Sequence, residues 1–320
     1  MGPPLSFTWG DLVDRLADER GSLSALARAL QLAAPPSAKL SADVSTIERG
    51  LRRLRGRGIL ESDKYGRLLL RVFGMPETVS AWAMRLGKYH SALSDLPVPL
   101  RRDQLRLWDR PPVNETPLAA WIHIGLASVA RRSRQPEEVR RRLDLAGLVA
   151  HRAGPEAQLE RLLFEAWLSK DPDDFLDHAE EHLDDPILPP PERANYFARL
   201  QDQRAYRAFR HGGGLDAART LYASIPADGA PLFAAFRRAH GLAWCALRSG
   251  EQDAAVALAR EAAEHAGDAG LVRMRWMAIT MEAHAWKDRP QADVLWVRAK
   301  RIAQALEDPD LLSRIPKQHR

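Results

Sequence analysis

Apolar residues recur three and four positions apart through the first sixty residues. Trp9, Leu12, Val13 and Leu16 share helical spacing between Thr8, a capping residue, and Gly21, a stop. Ser22 opens a second segment with Leu23, Leu26, Ala27 and Leu30 on one face, which Ala33-Ala-Pro-Pro-Ser-Ala38 interrupts. Val44, Ile47, Leu51 and Leu54, spaced 3, 4 and 3, form one narrow stripe and predict a helix from about Asp43 to Arg55. After Gly56 and Gly58 the pattern changes. Ile59 to Phe73 holds two strand-like runs around a polar tip with Gly66, which predicts a β-hairpin wing with Lys64 and Arg67 near its tip.

Farther on, Val79, Trp82, Ala83, Leu86 and Leu93 predict a helix over Pro76 to Leu96. Pro99, Pro111, Pro112 and Pro117 mark Val98 to Pro117 as a connecting stretch with one short helix around Gln104 to Trp108. Beyond Leu118 no segment reads as a strand, and the helix breaks repeat. Breaks at Gln135-Pro-Glu-Glu138, Lys170-Asp-Pro-Asp-Asp174, Gly214-Leu-Asp216, Gly250-Glu-Gln-Asp253 and Asp288-Arg-Pro-Gln291 each precede a helix. Asp216 to Asp253 is 37 residues and Asp253 to Gln291 is 38. The expected fold is mainly α. It comprises an N-terminal winged helix-turn-helix domain of three helices plus a β-hairpin (1-73), a connecting helix and Pro-rich linker (74-117), and an α-solenoid of helical hairpins (118-320).

Charge sharpens the reading of the first unit. Residues 1-73 carry 12 basic and 8 acidic side chains, so all but one unit of the chain's net charge of +5 belongs there, which points to a polyanion. Ser45, Thr46, Arg49, Arg52, Arg53 and Arg55 fall off the apolar stripe and face outward. Small hydroxyl residues near a helix start allow close approach to a major groove, and arginines fork onto guanine edges or phosphates. Ser45, Thr46 and Arg49 are therefore candidate base readers. Arg52, Arg53 and Arg55 are candidate phosphate contacts. The alternative is a solvated helix face, or a winged helix used for protein contacts.

The stretch Val44-Ser-Thr-Ile-Glu-Arg-Gly-Leu-Arg-Arg-Leu-Arg-Gly-Arg-Gly-Ile-Leu60, with the Gly66-Arg67 turn, resembles the GntR-like and MarR-like winged-helix regulators of bacteria. The resemblance covers about 50 residues and implies a transcription regulator binding double-stranded DNA, commonly as a homodimer. Its departures are the Pro-rich turn before the third helix and Gly50, which costs a helix roughly 1 kcal/mol relative to Ala.

The later repeats, with Ala-rich second helices such as Asp253-Ala-Ala-Val-Ala-Leu-Ala-Arg-Glu-Ala262, resemble tetratricopeptide-like arrays. The resemblance implies that the first helix of each hairpin lines a concave groove for a peptide or protein partner. The candidates there are Arg199, Arg204, Arg207, Arg237, Arg238, Arg273 and Arg275, which would favour an acidic peptide or an anionic ligand if they point inward. Peptide-binding arrays of this kind often use asparagines, and this chain has two, Asn114 and Asn195.

Signals for chemistry are sparse. His178-Ala-Glu-Glu-His182 fits the H-x-x-E-H spacing of zinc peptidases, but it lies among six aspartates with no distinctive third ligand, so a solvated acidic helix is the preferred reading. Gly212-Gly-Gly214 has no preceding strand and no following Lys-Ser/Thr, so it reads as a turn. Cys245, the only cysteine, lies among apolar residues and reads as a packed thiol. No catalytic residue, metal or cofactor is expected. With no apolar run near a membrane span and no leader pattern, a cytoplasmic location is expected. The functional expectation is a DNA-binding transcriptional regulator whose repeats sense a ligand or bind a protein. The alternative is a non-enzymatic scaffold.

Overall fold

A computed structural model of the chain describes residues 6–210, 212–287 and 289–319. Among these residues there are seventeen α-helices and no strand. Three helices begin the chain: α1 (Trp9–Glu19), α2 (Leu23–Ala33) and α3 (Val44–Arg55). Each starts where a side chain takes over an orphan backbone donor. Thr8 accepts from the Asp11 amide while the Asp11 carboxylate accepts from the Thr8 amide, Ser22 caps Ala25, and Asp43 caps Ser45. The Pro-rich turn between α2 and α3 is held by Gln31, whose amide nitrogen donates to the carbonyls of Ser41 and Ala42 at 3.0 and 2.8 Å.

The β-hairpin expected over Ile59 to Phe73 does not form. Asp63 accepts from the backbone N–H groups of Tyr65 and Gly66 and opens α4 (Lys64–Phe73), which carries Leu68 and Leu69 into the core. Ile59 and Leu60, the would-be first strand, stay outside the core. A short apolar run fits a buried helix as well as a strand, and here the aspartate cap decides. Lys64 and Arg67 accordingly lie on the first turns of α4 rather than at a wing tip.

Gly50 is explained by the same helix. A Cβ at that position would approach the Tyr65 ring to 2.2 Å, so α4 closes on α3 only across a glycine.

Two more helices follow, α5 (Glu77–Gly87) and α6 (Val98–Trp108). The helix expected over Pro76 to Leu96 thus ends at Gly87. The stretch expected to be mostly connecting contains a full helix whose Pro99 occupies the first turn, where a missing N–H costs nothing. One continuous apolar core runs from Phe7 on the approach to α1 as far as Val129 on α7 (Ala119–Arg132).

The remaining helices are α8 (Pro136–Ala153), α9 (Pro155–Leu168), α10 (Asp173–Leu183), α11 (Pro190–Arg210), α12 (Gly214–Ala223), α13 (Leu232–Ser249), α14 (Gln252–Asp268), α15 (Val272–Trp286), α16 (Pro290–Ala305) and α17 (Pro309–Arg314). Helices α8, α10, α12, α14 and α16 begin at the five sequence breaks; Asp288, in the last of them, lies outside the described residues. From α7 to α17 each helix packs on its successor, and α7, α9, α11, α13 and α15 also touch one another in turn. The two ends meet, because α17 contacts α7 and the Val98 amide donates to the Leu306 carbonyl at 2.9 Å. No helix among the described residues is long and apolar enough to cross a membrane.

Candidate nucleic-acid interface and an arginine-lined cavity

Helix α3 buries Ile47, Leu51 and Leu54 against α1 and α2 and turns its other face to solvent. Ser45, Arg49, Arg52, Arg53 and Arg55 are exposed there, and Thr46 is half-buried. Both hydroxyls donate to the Asp43 carboxylate, at 2.6 Å from Ser45 and 2.9 Å from Thr46, and these bonds hold that carboxyl below its ordinary range. Arg52 pairs with Glu48 at 2.5 Å and Arg55 with Asp14 at 2.7 Å. Arg49 and Arg53 have no carboxylate within ion-pair distance among the described residues. Lys64 and Arg67 are also exposed, with Lys64 Nζ donating to the Lys39 carbonyl and Arg67 to that of Ser62.

The seven arginines expected in a repeat groove divide. Arg199, Arg237 and Arg273 line one central cavity. Arg204 and Arg207 instead turn to the acidic α10 and the turn before it, where Arg204 meets Asp177 and Glu180 at 3.3 and 2.7 Å and Arg207 meets Asp171 at 3.2 Å. Arg238 is half-buried outside the cavity lining and Arg275 is exposed. His178 stands exposed on α10, and among the described residues no three His, Cys, Asp or Glu side chains are grouped to hold a metal. Cys245 is buried in α13, and burial pushes its thiol up to about 11.

Residues 88–95 run across the inner helices. Lys88 Nζ pairs with Glu156 of α9 and Glu192 of α11 at 2.5 and 3.1 Å. Tyr89 donates its amide to Glu160, and its hydroxyl accepts from Arg237 of α13 at 2.7 Å. His90 Nε2 lies 2.7 Å from Glu192. Burial pulls the imidazole below its ordinary value. For Glu192 burial opposes ionisation, but the bonds from His90 and Lys88 outweigh it and hold the carboxyl down to about 2. Farther along, Ser94 accepts from Arg132 through its carbonyl at 2.7 Å, and Asp95 accepts from the Arg273 amide of α15. This segment covers the faces of α9, α11 and α13 on which a peptide would be expected to lie. Its signal in the sequence is the cluster Lys88-Tyr89-His90, polar and aromatic where an apolar helix was expected to continue.

Beside it remains a cavity of about 220 Å³. Six arginines line it (Arg131, Arg132, Arg199, Arg237, Arg273 and Arg314) against the carboxylates of Glu160, Asp202 and Asp310. The carboxylates orient the arginines. Glu160 meets Arg199 at 2.7 Å, Asp202 meets Arg237 at 2.9 Å, and Asp310 meets Arg131 and Arg314 at 3.3 and 2.7 Å. Arg131 also stacks on the Trp167 ring at 4.6 Å. The contributions of α7 and α17 were hidden from sequence reasoning, since they depend on the two ends of the array meeting.

No family model, no curated protein and no solved structure matches this chain.

Proposed function

We propose that this chain is a DNA-binding regulator. Helix α3 enters the groove of a duplex as the second helix of a helix-turn-helix, and the hairpins from α7 onward, a tetratricopeptide-like solenoid, hold an effector. The single observation that carries the reading is the solvent face of α3, on which Ser45, Arg49, Arg52, Arg53 and Arg55 are exposed together, with Arg49 and Arg53 free of carboxylates among the described residues. Lys64 and Arg67, on the neighbouring helix rather than a wing, would add phosphate contacts. The core shared by α1 to α7 supports a connection between the two halves, because α7 also lines the cavity.

The test is duplex binding across a salt series, followed by selection from a random duplex pool. Binding should weaken by about 0.9 log unit per log unit of salt for each phosphate neutralised, and the pool should enrich a sequence. A flat salt response would sink the reading.

A protein-scaffold reading is favoured by a different observation on the same unit: Leu32 is 87% exposed and Leu60 63%. Pull-down of a partner lost on Leu32→Ser, together with salt-insensitive DNA behaviour, would decide for it.

A further inference from the structure

We propose that the central cavity binds a small organic anion, a carboxylate or phosphate carried on a flat apolar body; this deepens the effector half of the proposed function and rests on that half alone. Size selects the class. A cavity of about 220 Å³ suits a single-ring acid, and the faces of α9, α11 and α13 on which a peptide would lie are already covered by residues 88–95.

Charge selects the head group. Asp95 and Asp308 approach Arg132 and Arg273 from behind, and Arg101, fully buried, reaches the wall through Ser128 at 3.1 Å without any carboxylate among the described residues. Seven guanidinium groups therefore stand among five carboxylates; Arg101 and Arg132 are fully buried, while Arg131 and Arg314 reach solvent. Burial of unpaired charge is costly, so an incoming anion gains what the protein lacks. Arg132 is 2% exposed with Nη2 unpartnered, Arg237 Nε is buried without a hydrogen-bond acceptor, and Arg273 Nε lies 3.6 Å from the Asp308 carboxylate. Asp308 and Asp202 fix the guanidinium groups of Arg132 and Arg237 at the cavity wall, so their orientation is set before an oxyanion arrives.

The apolar part of the lining selects the body. Ile124, Leu163, Phe164, Trp167, Met277 and Leu311 are apolar lining, and Trp167 is half-exposed with Arg131 stacked on it. A planar group slides against that surface with its anionic end toward Arg132 and Arg273.

The experiment is calorimetric titration and thermal melting of the full chain without DNA, using benzoate, phenyl phosphate, inorganic phosphate and the neutral isostere benzamide. Benzoate or phenyl phosphate should saturate and raise Tm, with benzamide silent and inorganic phosphate weaker than phenyl phosphate. Arg131→Gln, at the half-exposed mouth, should weaken the ring-bearing anions by about tenfold or more. Trp167→Ala should weaken the same anions while leaving inorganic phosphate unchanged. Absence of saturation by both ring anions, equal binding of benzamide, or full affinity in both variants overturns the proposal. Duplex binding measured on the same preparation keeps the two readings apart, since an inert cavity with intact DNA binding removes only the effector site.

Discussion

Arg132 on α7 and Asp308, the N-cap of α17, form an ion pair at 2.7 Å with side chains 2% and 0% exposed, although 176 positions separate them. Asp308 also accepts from the amides of Asp310 and Leu311, so one carboxylate starts the last helix and fastens it to the seventh. Removing one partner of such a pair leaves the other buried and uncompensated. Asp308→Ala should therefore cost about 3–5 kcal/mol in urea unfolding, while Arg132→Met/Asp308→Leu should recover much of the loss. A small effect in the single variant would show the pair to be slack.

On α3, exposed Arg49 and Arg53 have no ion pair among the described residues. Arg49→Ala and Arg53→Ala should leave Tm unchanged; Arg53→Ala should lower the salt slope of duplex binding by about 0.9, and Arg49→Ala should relax sequence selectivity. Arg52→Ala and Arg55→Ala break only surface pairs, so their stability cost should stay within about 1 kcal/mol.

Helix propensity and packing conflict at Gly50. Alanine improves the helix by roughly 1 kcal/mol, yet its Cβ would meet the Tyr65 ring at 2.2 Å. Overpacking should win, making Gly50→Ala destabilising by about 1–3 kcal/mol. Adding Tyr65→Ala should reverse the sign, a coupling that a double-mutant cycle measures directly.

Burial, reinforced by the charge of Arg237, pulls His240 down to about 4, and His90 is lowered in the same sense. The unfolded chain takes up protons near the ordinary histidine value of 6.5 while the folded chain resists them until the lower value. Stability is therefore full above 6.5 and is lost as pH falls from there toward 4. His240 should contribute no more than about 3 kcal/mol of that loss. Unfolding free energy against pH should have a shallower slope over this window in His240→Phe, with His90 retaining the remainder.

Much of the helical order was legible because local signals agreed. Thr8, Ser22 and Asp43 each cap the helix that its neighbouring apolar stripe predicts, and each of the five breaks after Leu118 opens a helix. The wing was misread because Leu68-Leu-Leu and Val72-Phe73 carry no period long enough to separate strand from buried helix, and the Asp63 cap was not weighed. For the cavity, Arg199, Arg237 and Arg273 were visible as arginines on inner helices. Arg131, Arg132 and Arg314 were not, since nothing local tells α7 that α17 will return to it. Arg204 and Arg207 were open candidates for the groove because their acidic partners on α10 and just before it lie 24 to 36 positions away, beyond any helical pattern.

The junction of α17 with α7 also bears on how the molecule comes apart. Hairpins that touch only their neighbours melt piecemeal, each unit opening at its own free energy. Here the last helix rests on the seventh, and Leu306 is bonded to Val98. An opening at either end therefore breaks contacts made by the other, and the ring of helices shares its losses. Folding gains cooperativity from this and gives up speed, because the fastening contacts span about half the chain and form only after the intervening helices have found their order.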